Sequence, residues 1–272
     1  MSFNIDGFFS PDMEQFRAAV TSQGPAKVWF DCAHELSRFA LAMVAGLDMP
    51  PLADIQHFTL AALFIRAHQS TQAALILAER GMIGDARTVL RSASEGVIAM
   101  YGLAADPGFI DQVVYDYQLN QQKLARVVLD EPAFRKSYSP AEIAQMEATC
   151  REVAALRANI DETKRRKAII WDQIAAKHCP DLYTLIYRPL SMDGTHTNMD
   201  AINRHVQTDK SGRVVGLKGG PDAEGIQEVL KFATLVLLWA LVAMSRAFPK
   251  EVREDCIQGF FERFNALPGS AA

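Results

Sequence analysis

Apolar and polar positions recur along this chain at three- and four-residue steps almost throughout, a pattern that predicts an all-α fold. Ser10-Pro11 reads as an N-cap with proline at the first helical position, opening a helix to about Val20. Between Ala26 and Gly46, residues Val28, Trp29, Cys32, Leu36, Phe39 and Met43 mark one apolar face closed by a glycine. Met49-Pro50-Pro51 breaks the chain, and Asp54 is placed to cap the next helix. Two helix patterns over about 57–80 and 85–104 are separated only by Gly81-Met82-Ile83-Gly84, which predicts a central antiparallel hairpin. Asp106-Pro107-Gly108 ends the second of them, and 109–130 reads as another helix. Ser139-Pro140-Ala141-Glu142 is a capping box that opens a helix to about Lys167. Its charge and few large apolar residues suggest a protruding arm over about 139–168.

A shorter helix begins after Trp171, and Asp181 is placed to cap a further one. Pro189 and Gly194 predict an irregular segment from Tyr187 to Asn198. Two short extended runs over about 204–217 give at most one β-hairpin, marginal by itself. Pro221-Asp222 is read as the start of a long helix to about Phe248, with a closing amphipathic helix over 250–264. The run Phe232 to Met244 is shorter than the ~20 apolar residues a membrane span needs, so it predicts a buried core helix. The expectation is a multi-helix bundle in a single domain, 1–272.

Composition narrows the classes. With 49% hydrophobic and 22% charged residues the chain is of ordinary globular type. A net charge of −4 argues against a dedicated nucleic-acid or membrane-surface protein. The basic run Lys164–Lys167 reads as a solvated helix end that complements the helix dipole. Cys32, Cys150, Cys179 and Cys256 are widely spaced with no Cys-x-x-Cys pair, which fits a reducing compartment. No secretory signal is visible after Met1, so the cytoplasm is the expected location.

The central hairpin carries a band of charge inside apolar helices, where an unpaired polar group is costly. If the helices fold back at 82–83, residue n lies level with about residue 165−n, since both rise ~1.5 Å per residue. Gln72 then falls between Arg91 and Glu95, and His68 about half a turn further on. His68, Gln72, Arg91 and Glu95 are thus expected to cluster, with Arg87 and Glu79 extending the cluster toward the turn.

The runs Arg66 to Gly81 and Ala86 to Glu95, with Arg91-Ser92 and Glu95, resemble a broad bacterial family of helical proteins, a domain of unknown function. Its second hallmark, tyrosine–arginine–x–leucine–serine followed by histidine, is matched by Tyr187-Arg188-Pro189-Leu190-Ser191 and His196. The likeness covers about residues 30–205. It implies an α-helical fold with the two motifs close together, and it brings no activity.

Three functional readings fit these residues. In the first, Tyr187, Arg188, Ser191 and His196 join His68, Gln72, Arg91 and Glu95 in a pocket for a small anionic or phosphate-bearing ligand. In the second, Arg188 and His196 are catalytic, by resemblance to the Arg-x(4–6)-His motif of HEPN ribonucleases, as in a toxin or phage-defence effector. Seven residues intervene here, and Pro189 and Gly194 depart from that helical motif. In the third, the cluster only fixes helix register in a structural or homo-oligomeric protein. Asp54-x-x-His57 and Asp193-x-x-His196 have i,i+3 spacing but no accompanying glutamates, so neither a metal set nor a cofactor is inferred. No membrane partner is expected, and nucleic acid only under the ribonuclease reading.

Overall fold

A computed structural model of the chain describes residues 2–48, 54–159, 169–194 and 199–270. The described residues form two compact units, Met1–Ala105 with Asp172–Ala272, and Asp106–Trp171. The expectation of one domain over 1–272 is thus set beside a two-part grouping.

The first unit begins with α1 (Phe3–Asp6), α2 (Met13–Ser22), α3 (Gly24–Ala45), α4 (Ile55–Glu79) and α5 (Ile83–Ala105). In the second lie α6 (Phe109–Asp130), α7 (Pro132–Arg135) and α8 (Pro140–Asn159). The chain then runs through α9 (Trp171–His178), α10 (Pro180–Leu182), a π-helical turn (Tyr183–Tyr187), α11 (Arg188–Gly194) and α12 (Met199–Asn203). It ends with β1 (Val206–Thr208), β2 (Val214–Leu217), α13 (Ile226–Ala247) and α14 (Glu254–Ala266). The all-α expectation holds, and the predicted hairpin is present as one antiparallel strand pair.

Asp54 caps α4 as expected, accepting the His57 N–H at 3.2 Å, and this bond holds its carboxyl below the usual carboxylate range. The far end of α4 closes in a Schellman motif: the Gly81 N–H donates to Ala78 O and the Met82 N–H to Leu77 O. Gly81 sits at φ +70°, and a Cβ there would lie 2.6 Å from the Asp222 nitrogen. Both the turn and its neighbour therefore demand glycine.

α13 packs against α3, α4 and α5. Leu230, Ala233, Leu237 and Leu241 on it are fully buried, as are Leu60, Phe64, Leu90 and Ile98 on the hairpin. Among the described residues α13 is the one helix long and apolar enough to cross a membrane, and most of it is buried within the bundle.

Three boundaries differ from the sequence reading. α2 starts at Met13, because the Ser10 Oγ is engaged by the Asp12 N–H in a preceding turn. α13 starts at Ile226, not at Pro221-Asp222. The Asp222 N–H is committed to Gly81 O and its carboxylate to the Glu224 N–H, and Gly225 turns the chain at φ +84°. The third is the segment expected to be irregular, Tyr187 to Asn198: its described part, 187–194, ends the π turn and continues as a helix.

In the second unit the capping box forms as predicted. The Ser139 Oγ accepts the Glu142 N–H, and the Glu142 carboxylate accepts the Ser139 N–H at 2.8 Å. The helix expected as an arm packs along α6, where Val153 is buried and the Gln122 Nε2 donates to Cys150 O. Lys164–Lys167 lies outside the described residues.

Candidate functional site

A proline inside a helix lacks an N–H, and its ring crowds the carbonyl four residues before it. Around Pro189 the chain resolves this by widening one turn: the Arg188 N–H reaches five residues back, to Tyr183 O. The widened turn runs directly into α11. Tyr183, Tyr187 and Ser191 succeed one another at four-residue steps, with the two tyrosine rings stacked at 5.3 Å.

This face meets Arg91 and Glu95, one turn apart on α5. The Arg91 Nε donates to Ser191 Oγ at 3.0 Å, and its Nη2 donates to the Tyr187 hydroxyl at 3.1 Å. Nη2 also lies 3.2 Å from Glu95 Oε1, which accepts from the Tyr187 hydroxyl at 3.0 Å. The guanidinium stands 5.3 Å over the Tyr187 ring. Burial, then the Glu95 charge, pushes the Tyr187 phenol up, so it stays a donor. Four of the residues singled out in the sequence are therefore in one network across 100 residues of chain. Both Arg91 and Glu95 remain a quarter exposed, and Arg91 Nη1 makes no hydrogen bond to a described residue.

One turn earlier, Arg87 is buried and ties α5 to two elements. Its Nη1 pairs with Glu228 on α13 at 2.8 Å, and its Nη2 donates to Pro189 O at 3.4 Å.

His68 and Gln72 are elsewhere. His68 Nε2 lies 3.0 Å from both Ser37 Oγ and Ser37 O, and the Gln72 Nε2 donates to the same hydroxyl at 3.2 Å. They lock α4 to α3. Level-matching gave their height along the hairpin, but α4 is covered on several sides, and height does not choose the side. Glu79 likewise meets Arg17 and His34, on α2 and α3, and does not extend the Arg91 cluster. Arg188 is exposed on α11, and His196 lies outside the described residues. Asp54 and His57 are 2.8 Å apart as a capping pair, and among the described residues no three His, Cys, Asp or Glu side chains are grouped to hold a metal.

A cavity that sequence reasoning missed opens at the start of α5, with a volume of about 310 Å³. Gly81 to Asp85 and Thr88 line one side, and Arg204, His205, Lys218 and Asp222 line the other. The first helical bond of α5 runs from the Ala86 N–H to Met82 O, so the N–H groups of Ile83, Gly84 and Asp85 precede the intrahelical ladder. Methionine at the cap position has no oxygen to cover them. A Cβ at Gly84 would meet nothing within 4 Å. The only signal in the sequence was the glycine pair in the turn; the basic residues come from a segment more than 110 residues later.

Fold and site define an all-α bundle with an arginine-centred polar cluster on its central hairpin. The chain belongs to a family of unknown function (DUF5677), whose profile matches residues 57–213. That span holds the Arg91 cluster, the cavity's α5 side, Arg204 and His205. No curated protein and no solved structure matches the chain.

Proposed function

We propose that this protein binds a small anionic, phosphate-bearing ligand in the cavity at the start of α5. The observation that carries the reading is the convergence of Arg204, His205 and Lys218 on a cavity floored by the turn at Gly81–Asp85, where α5 begins. A pocket of a few hundred Å³ suits a small metabolite. Oriented N–H groups and fixed cations complement a phosphate or carboxylate. Asp85 and Asp222 also line the cavity, so the ligand should carry hydrogen-bond donors beside its anionic group. Thr88 lies one turn before Arg91 on α5, and the Arg91 network would act as the lock that holds α11 against this helix.

The test is calorimetric titration of the full chain with inorganic phosphate and pyrophosphate. Lys218→Ala changes an exposed side chain and should weaken binding several-fold, with a smaller loss at high salt. Gly84→Leu should abolish binding by filling the cavity. No saturable binding by the native chain, or equal binding by both variants, would overturn the reading. Loss in Arg188→Ala alone would move the ligand to the exposed face of α11.

The ribonuclease reading has one observation in its favour: Arg188 opens a helix and is not in a loop. Under it, RNA cleavage by the native chain is lost in His196→Ala. If neither protein cleaves, that reading fails.

A further inference from the structure

Within the second unit, two grooves of about 730 and 450 Å³ run along one face of the α6–α8 pair and adjoin at Gln121, Gln145 and Thr149. We propose that this face is the interface through which two copies of the chain associate, the two helix pairs closing into a four-helix bundle.

The groove is lined by two regular stripes. Tyr117, Gln121, Leu124 and Val128 recur on α6 at steps of four, three and four, and Gln145, Thr149, Glu152 and Leu156 repeat those steps on α8. Alternating three- and four-residue steps make a seam that packs against another helix. Gln122, Ala125 and Val153 are the buried positions of the pair, and Ala125 and Val153 also line the grooves, as their floor. The two stripes stand beside that floor and leave their larger side chains in water.

The exposed apolar content is large. Tyr117, Leu124, Val127, Tyr138 and Leu156 line the grooves and are 40–64% exposed. Each leaves on the order of 100 Å² in water. Five of them supply a large part of the ~800 Å² per partner that a stable interface buries.

A second copy fits better than a foreign helix for two reasons. Glu152 is the one charged residue lining the grooves, so the face can meet itself without like-charge repulsion. Gln121, Gln145 and Thr149 are also at the junction of the two grooves, where a two-fold axis would set amides against amides. The apolar half around Leu124 and Tyr138 would then cover the half around Tyr117 and Leu156 of the other copy.

Sedimentation equilibrium of the full chain should give about twice the 30.1 kDa of one copy. Leu124→Glu and Tyr117→Ser should each return the mass to one copy with the helical circular dichroism unchanged. Val214→Glu, on the exposed β2, should stay dimeric. Gln121→Cys should form a covalent dimer under mild oxidation, while the native chain with its own four cysteines does not. A native chain that is monomeric at its highest soluble concentration would overturn the proposal. So would a dimer untouched by both groove variants.

Discussion

Gly81 shows how one residue can be fixed by two independent demands. Its positive φ ends α4, and its bare Cα lets the Asp222 backbone and the Pro221 Cβ approach within 2.6–2.9 Å of where a Cβ would stand. Gly81→Ala should therefore cost about 2 kcal/mol or more, above the ordinary strain of a left-handed alanine. Urea denaturation is the measurement, and a change below about 0.5 kcal/mol would show that the 221–225 turn yields easily. The φ demand is readable from the sequence, where a glycine closes a helix pattern. The approach of Asp222 is not, because nothing near residue 81 reports a segment about 140 residues later.

At the scale of elements, the central hairpin carries two polar networks on different sides. Arg91, Glu95, Tyr187 and Ser191 join α5 to the π turn and α11, while His68, Gln72 and Ser37 join α4 to α3. The first network is partly exposed, whereas His68 and Ser37 of the second are buried, so they should separate in experiment. His68→Ala removes a buried ring and its bonds to Ser37, leaving Gln72 as a partner of that hydroxyl, and should cost about 2–3 kcal/mol. Phosphate affinity measured on the same variant should not change. An affinity loss larger than the stability loss explains would instead place His68 near the ligand. Pro189 teaches the same lesson about elements. Read locally it breaks a helix, but a turn widened by one residue accommodates it, and the helix then continues as α11.

For the molecule as a whole, buried proton donors set an alkaline limit. Burial pushes the Cys179 thiol up to about 12 and raises the phenol of Tyr101, although Arg246 opposes both. Burial and then Glu95 raise Tyr187 as well. Above about pH 9 the unfolded chain releases protons that the folded chain keeps, so stability falls as pH rises from there toward 12. Below about pH 8 these groups contribute their full share. The urea midpoint should decline between about pH 9 and 11 under reducing conditions, and Cys179→Ala should make that decline shallower. A flat midpoint would remove these groups as determinants. By itself the sequence determined the long helices, the hairpin at Gly81–Gly84, the capping of α4 and α8, the buried character of α13, and the pairing of Arg91 with Glu95. Each rests on periodicity or on contacts within a few residues, which local physics dictates. Only the tertiary structure decided which side of α4 His68 and Gln72 face, that α11 is a helix, and that Arg204 and Lys218 meet the start of α5. Those outcomes depend on the azimuth of packed helices and on segments far apart in the chain, and no local pattern encodes either.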